Sequence, residues 1–384
     1  MGSLLVTNDF PPKVGGIQSY LHELWRRLPP ADTTVLTTPY AGAADFDAAQ
    51  RFRVERVSER VMLPTGSLAS RIDGLAREVG AEVIVLDPAL PLGQLGHRLE
   101  AAPHVVVAHG AEVTVPGRLP GSRRLLGRVL RGADAVVAAG EYPARECSHA
   151  AGRAVQGIVV PPGVDVDRFR PVADDAERAA TRTRLGLDPD RPLVVGVSRL
   201  VPRKGFDVLI EAVAGLDPSV VLAIAGAGRD AERLRRIAER HDLVRSGRVR
   251  FLGRIPFDEL VALHRVGDVF AAPCRDRWGG LEAEGFGIVF LEAAASGVPA
   301  IAGRSGGSHE AVRDGETGHV VGPRDVAGLR DRIAGLLGDD VRRRAMGAAA
   351  RAWAVAECSY DVRVAPLARL LAGDRSDVAP LPGA

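Results

Sequence analysis

Cysteine is nearly absent from this sequence: Cys147, Cys274 and Cys358 are the only three in 384 residues, far apart and odd in number. That argues against a disulfide framework or a cysteine-built zinc site and for a reducing cytosol. Long apolar runs are missing as well. No stretch reaches the roughly 18 apolar residues that cross a bilayer, so a membrane role would have to be peripheral. Charge of one sign is not in excess either. The 50 Lys and Arg against 48 Asp and Glu leave +2, which makes no case for nucleic acid. No secretory leader opens the chain, which runs from Ser3 straight into Leu4–Thr7, and Met1-Gly2 is not a myristoylation motif because Val6 stands where Ser or Thr is needed.

What is present suits a soluble protein of two α/β domains, since 384 residues exceed one domain and suit two of about 150–200. Short Val, Ile and Leu runs alternate with helical patterns, which implies parallel sheets covered on both faces. In the first half the expected strands are Leu4–Thr7, Thr33–Thr38, Arg53–Met62, Ala81–Leu86, His104–His109 and Ala135–Ala139; the expected helices are Ile17–Leu28, Ser67–Val79 and Leu92–Leu99. The proline-rich stretch 158–171 reads as the domain boundary. At Leu193 the opening pattern of strand, loop and helix recurs, so the halves read as architectural repeats. The tail Gly373–Ala384 reads as frayed.

The richest stretch runs from Cys274 to Ala302. An apolar strand precedes a glycine-rich loop, and Gly285–Ser296 reads as a helix ended by Gly297. Glu284 and Glu292 are eight residues apart, which on a helix keeps both carboxylates on one face. The free amides of Gly285, Phe286, Gly287, Ile288 and Val289 at the helix start would bind an anion. Amides for phosphate and two acceptor-only carboxylates for hydroxyls together suit a nucleotide sugar. Gly15 and Gly16, between a strand and a helix, suit a second phosphate contact. Arg199 and Lys204 share one loop after a strand and suit a diphosphate clamp. His109 ends a buried strand, where doubly wound sheets bind their ligands.

Three patterns mislead. Gly226-Ala-Gly228-Arg-Asp-Ala231 fits a dinucleotide fingerprint, but the next strand ends in Gly253-Arg254, with no acid for a ribose. An NAD-dependent oxidoreductase would rest on that pattern alone. Gly303-Arg-Ser305-Gly-Gly307 fits a hydrolase elbow, but His309, Glu310, Asp314 and His319 crowd it too closely for a triad. Asp165-Val-Asp167 and Asp188-Pro-Asp190 lie in proline-rich connections and read as turn caps, so no metal and no other cofactor is expected. Arg118, Arg123, Arg124, Arg128 and Arg131, interleaved with Leu119, Leu125, Leu126, Val129 and Leu130, form a basic amphipathic helix. It reads either as a solvated face or as a contact for anionic lipid.

The Glu-x7-Glu helix start resembles the retaining glycosyltransferases of family 4 type, whose GT-B architecture sets two Rossmann-like domains facing across a cleft. Asn8-Asp-Phe-Pro-Pro-Lys-Val-Gly-Gly-Ile-Gln-Ser-Tyr20, His109-Gly-Ala-Glu112, Leu119-Pro-Gly-Ser-Arg123, Pro162-Gly-Val-Asp165, Ser198–Gly205 and Gly279-Gly-Leu-Glu-Ala-Glu-Gly285 extend the likeness over nearly the whole chain. Together they resemble the actinobacterial mannosyltransferases of phosphatidylinositol mannoside synthesis. Ala111 stands where that family often has a second histidine. The resemblance implies a domain at 1–165 on the acceptor side, one at 166–358 for the nucleotide sugar, and a C-terminal helix within 359–384 packing back on the first. It implies GDP-mannose as donor and a phosphatidylinositol mannoside-type acceptor joined through an α-1,6 linkage, at the inner face of the plasma membrane. Glu292 would hold ribose and Glu284 hexose hydroxyls. Backbone at Arg254 and Ile255 would frame the base. Arg199, Lys204 and the Gly16 amide would neutralise the diphosphate, His109 would position the sugar or help its oxocarbenium-like transition state, and the 158–171 connection would act as hinge. Another nucleotide sugar with a soluble acceptor remains an alternative.

Overall fold

The apolar runs are short, β-branched and uninterrupted, as strands buried on both faces require. The computed structural model describes residues 2–383; Met1 and Ala384, the outermost residues of the expected first domain and its C-terminal helix, lie outside them. The chain divides into two units, one of 2–162 with 360–383 and one of 163–359.

The first unit contains β1 (Gly2–Thr7), β2 (Thr33–Thr37), β3 (Arg53–Arg56), β4 (Ala81–Asp87), β5 (His104–Ala108), β6 (Ala135–Ala138) and β7 (Gln156–Val159). Their order is β3-β2-β1-β4-β5-β6-β7, all parallel. The chain winds outward from β1 on one side and restarts with β4 on the other. Open α/β sheets bind ligands at such a reversal, beyond the carboxyl ends of the strands. Leu4 and Val6 face one layer, with Leu68, Ile72 and Leu75 of the helix Gly66–Glu78. Leu5 faces the other, with Tyr20, Leu21, Leu24 and Trp25 of the helix Gly16–Trp25. This is the alternation that strand geometry imposes.

The second unit contains β8 (Leu193–Val197), β9 (Val221–Ala225), β10 (Val249–Gly253), β11 (Val269–Ala272), β12 (Ala300–Gly303) and β13 (Gly318–Val321). Their order is β10-β9-β8-β11-β12-β13, again parallel, with the reversal between β8 and β11. Both units are therefore doubly wound and Rossmann-like. Among the described residues no helix is long and apolar enough to cross a membrane.

Several expectations are corrected. The tail is not frayed: Ala379–Pro380 adds an antiparallel strand to the β7 edge, and Leu381 is buried in the first core layer. The expected strand Arg53–Met62 ends at Arg56, and Met62 at its expected far end is held instead by the Asn8 side chain through both backbone groups (2.8 and 3.1 Å). Leu92–Arg98 is a 3-10 helix rather than an α-helix; Gly93 and Gly96 let it lie against Val129 and His104. The helices Ala111–Arg118 and Glu141–Ala151 were not expected. The helix expected at Gly285–Ser296 spans Ile288–Ala295, preceded by Gly287 at φ +93°. The C-terminal helix expected at 359–384 is broken into Tyr360–Arg363 and Ala365–Leu371.

From the second of these, Leu367, Leu370 and Leu371 fill the layer that also holds Tyr20 and Trp25. Leu367→Ala should therefore destabilise the first unit by about 2–5 kcal/mol. Urea denaturation followed by circular dichroism checks this; an unchanged midpoint would mean that the C-terminal segment contributes little to that core.

Candidate active site

In the second unit the site grows from the two strands that flank the reversal. Beyond β8 the chain turns through a short 3-10 helix, Pro202–Lys204, and Gly205 at φ +72° ends it. A Cβ at Gly205 would lie 1.9 Å from the Pro273 carbonyl oxygen, so only glycine lets this turn lie against the exit of β11. Arg275 N–H donates to the Arg203 carbonyl (2.8 Å), and the Arg275 guanidinium grips Asp207 through two 2.8 Å bonds. The two loops are thereby locked together.

Their meeting point is a buried ion pair. Lys204 Nζ lies 2.8 Å from Glu284 Oε2, with Arg203 Nε at 3.8 Å, and both partners of the close pair are nearly solvent-free. Burial pushes the Glu284 carboxyl up, but Lys204, Arg203 and Arg199 outweigh it and hold the group below its ordinary value. Arg199 is exposed, and no carboxylate among the described residues pairs with it. Three cations thus surround one carboxylate. Beside them the amides of Gly285, Phe286, Gly287, Ile288 and Val289 have no acceptor among the described residues. Such a surface suits an anion of two or more charges.

In the first unit the carboxyl ends of β1, β4 and β5 converge. Asp87, fully buried, accepts from Thr7 Oγ1 (2.6 Å) and lies 2.5 Å from His109 Nε2. Burial works against a charged imidazole, but Asp87, then Glu112 and Asp9, raise His109 above its ordinary value. Glu112 accepts from the amides of His109 and Gly110, fixing the strand-to-helix turn. Tyr20 meets the imidazole edge-on at 5.4 Å. Asp9 accepts from Lys13 (2.5 Å) and Gln18 (2.6 Å), and Gly16 opens its helix exposed to solvent.

The profile of the group 1 glycosyl transferases matches residues 177–353, and that of glycosyltransferase family 4 matches 14–168. Over 382 residues the chain is 44% identical to the GDP-mannose-dependent alpha-(1-6)-phosphatidylinositol monomannoside mannosyltransferase of Mycolicibacterium smegmatis, covering 97% of this chain and 98% of that one. This chain belongs to the glycosyltransferases. A relative from Corynebacterium glutamicum, named for a monoacylated form of the same acceptor, is 39% identical over 96% of this glycosyltransferase and 97% of its own length. The fold is shared with Anabaena HepE, solved with UDP: TM-score 0.82 at 22% identity, covering 97% of this chain and all of that one. The architecture is GT-B.

Measured against the sequence expectations, the glycosyltransferase brings Arg199, Lys204 and Glu284 together and places Gly285–Val289 beside them. The same-face argument for Glu284 and Glu292 fails. Residues 284–287 are not helical, so a helical period cannot relate the two carboxylates. Glu292 instead lies on the helix proper, 3.2 Å from His264, which is buried between Phe270 and Phe169. Arg254 and Ile255 follow β10 at its carboxyl end, Arg254 exposed and Ile255 packed on the core. Arg118 pairs with Glu146 at 3.1 Å, while Arg123, Arg124 and Arg128 lie exposed on the helix Pro120–Gly132.

The misleading patterns are scaffolding. A Cβ at Gly226 or Gly228 would lie 1.8 or 2.2 Å from the carbonyl oxygens of Ser198 and Leu200, so both glycines seat the Arg199 loop. Ser305 is buried; it donates to Asp276 (2.7 Å) and accepts from the Glu284 amide (3.1 Å). Asp165 and Asp188 accept from the amides of their own turns. Sequence reasoning missed Asp207, Arg275 and His264, which sit in unremarkable helical or loop contexts. It also passed over the fact that Lys204 is one of only two lysines.

Because Glu284 is held ionised, its contribution to stability is present above the unfolded carboxylate value and lost as pH falls through its lower folded value. Glu284→Gln should cost about 3–5 kcal/mol near pH 7 by leaving Lys204 buried without its partner. The gap to wild type should narrow toward acid pH, as urea midpoints measured across the range would show. A gap that widened in acid would contradict this electrostatic account.

Proposed function

We propose that this glycosyltransferase moves mannose from GDP-mannose to a phosphatidylinositol mannoside-type glycolipid, forming an α-1,6 linkage with retention of configuration. The observation that carries the proposal is the buried Lys204–Glu284 pair beside unpaired Arg199, in a chain 44% identical end to end to enzymes named for that reaction. In this reading the donor diphosphate draws the Lys204 ammonium from Glu284 and recruits Arg199. Glu284, relieved of its partner, accepts from the hexose hydroxyls. The Gly285–Val289 amides bind phosphate oxygens, Glu292 takes the ribose hydroxyls, and backbone at Arg254 and Ile255 frames the base. In the first unit the Gly16 amide, with Gly15 before it, adds a phosphate donor.

As the bond from the anomeric carbon to phosphate breaks, its electron pair passes to the diphosphate, which Lys204 and Arg199 stabilise. Asp87 is already committed to Thr7 and His109, and no other carboxylate is assigned as a nucleophile. The acceptor oxygen therefore attacks on the face the phosphate leaves, and a phosphate oxygen takes its proton. His109, whose proton affinity Asp87 raises, donates to a sugar hydroxyl. Side chains supply all the positive charge, and the reading assigns no metal and no other cofactor.

The acceptor is a lipid, so we assign the helix Pro120–Gly132 to peripheral contact with an anionic membrane. It buries Leu126, Val129 and Leu130, exposes Arg123, Arg124 and Arg128, and carries no acid. Leu119, which precedes it, is 51% exposed.

Arg199→Ala or Lys204→Ala should lower transfer of labelled mannose by about 10²–10³ in protein that still folds, Lys204→Ala also losing stability because Glu284 stays buried without its close partner, and chelator should leave wild-type rates unchanged. Near-normal rates in either variant would refute the clamp, and a strict metal requirement would refute the assignment of charge to side chains. Replacing Arg123, Arg124 and Arg128 together by Gln should weaken binding to phosphatidylserine vesicles on the order of a hundredfold at low salt. Unchanged binding removes the membrane assignment.

A further inference from the structure

The chain is poor in aromatic residues, and its three tryptophans are placed unequally. Trp25 and Trp353 are buried at 1% and 7% exposure, whereas Trp278 is 65% exposed. Trp278 also has a φ of +51°, which a bulky side chain adopts only at an energetic cost. Gly279 and Gly280 follow at +62° and +86°. Three successive residues are therefore left-handed, and only the first is not glycine. Glycine at 278 would relieve the backbone and remove an exposed apolar ring, so neither backbone geometry nor solubility accounts for a tryptophan there.

The turn that carries it is rigid. Arg277 and Glu282 close its base as an antiparallel bridge, Arg277 N–H donating to the Glu282 carbonyl at 2.9 Å. Their side chains pair at 2.9 Å, and the Arg277 guanidinium covers one face of the indole, 4.4 Å from its centre. On one side of the turn Asp276 holds Ser305, and on the other Ser305 holds the Glu284 amide. The indole is thus fixed to the same scaffold as the buried carboxylate six residues on, with one ring face covered and the other open.

We propose that the open face of Trp278 is the stacking platform for the ring of the acceptor, a hexose or inositol-type polyol bearing phosphate. The inference rests on the glycosyl-transfer reading and adds a subsite to it. A polyol ring turns its hydroxyls outward and offers a face of C–H groups, slightly positive and apolar, which matches the negative face of an indole. The donor hexose is not the occupant. Its hydroxyls go to Glu284, which is buried, whereas Trp278 stands in solvent at the tip of the turn. The rigid turn positions the platform in advance, so little ordering is lost when a ring docks.

The test uses the full chain with Trp278→Ala, Trp278→Phe and Trp278→Gly, GDP-mannose as donor, and a deacylated, water-soluble mannosyl-inositol phosphate as acceptor. Trp278→Ala should raise the acceptor KM about tenfold, with donor KM and kcat within about twofold, and Trp278→Phe should recover most of the loss. Trp278→Gly should match the alanine variant in acceptor KM while its melting temperature is no lower than wild type, because the left-handed backbone is eased. An unchanged acceptor KM, a rise confined to the donor KM, or a fall in melting temperature that tracks the kinetic loss overturns the proposal. Trp278 is the exposed tryptophan, so the difference in emission between wild type and Trp278→Phe isolates its signal. Adding the deacylated acceptor to the GDP-bound enzyme should change that difference, and no change sinks the platform. If GDP binds but mannose is never transferred, the mannosyl reading fails, while the emission titration still decides whether a polyol ring meets Trp278.

Discussion

The close pairing of Lys204 with Glu284 is the interaction on which the second unit's site depends. A lysine and a glutamate buried together both lose hydration; at Glu284 the neighbouring cations outweigh that loss, yet a well-packed apolar pair would often be as stable. What the pair provides is a charge already stripped of water and free to change partner. When a dianion arrives, the ammonium can exchange one carboxylate for two phosphate oxygens, and Arg199 adds a second cation at the surface. The carboxylate left behind is an acceptor for hydroxyls. In the proposed reading, phosphate recognition and sugar recognition are coupled through this one ion pair.

The two units solve similar problems in similar places. Each starts its sheet from the central strand, so each has its reversal beside the first β–α loop. In the first unit a buried carboxylate, Asp87, meets His109 there; in the second, Glu284 meets Lys204. At His109 and at Glu284 desolvation opposes the charged form and the neighbouring opposite charges prevail. The glycines around the second site serve close approach of backbone to backbone. Gly205 admits the Lys204 turn against Pro273, and Gly226 and Gly228 admit the Arg199 loop. Ser305 holds Glu284 from behind. Residues that mimic a hydrolase elbow or a dinucleotide fingerprint thus support the Glu284 and Arg199 loops.

The architecture was legible because parallel strands buried on both faces leave uninterrupted Val, Ile and Leu runs, as at Leu193–Val197 and Val221–Ala225. It was less legible at the edges. Arg53–Met62 alternates like a strand, but Asn8, far away in sequence, captures Met62. The tail looked polar and unpatterned, yet the β7 edge and a core vacancy filled by Leu381 order it. Arg199, Lys204 and Glu284 could be read from their loops, since cations and a carboxylate beside glycine-rich turns at strand ends carry their own rationale. The geometry of Glu292 could not, because the irregular segment 284–287, with Gly287 left-handed, breaks the helical period on which the inference relied. Composition held one further signal. Nearly every basic residue is arginine, and the two lysines, Lys13 and Lys204, occupy the first β–α loop of each unit. A compact ammonium kept amid so much guanidinium points to a position where a planar fork does not fit.

That scarcity also makes the central claim directly measurable. With lysine isotopically labelled, the side-chain ammonium spectrum contains only two resonances, and Lys204→Arg assigns them. Addition of GDP should move the Lys204 resonance as its partner changes from carboxylate to phosphate. A spectrum in which GDP binds, as calorimetry would establish independently, while the Lys204 resonance stays in place would contradict the account.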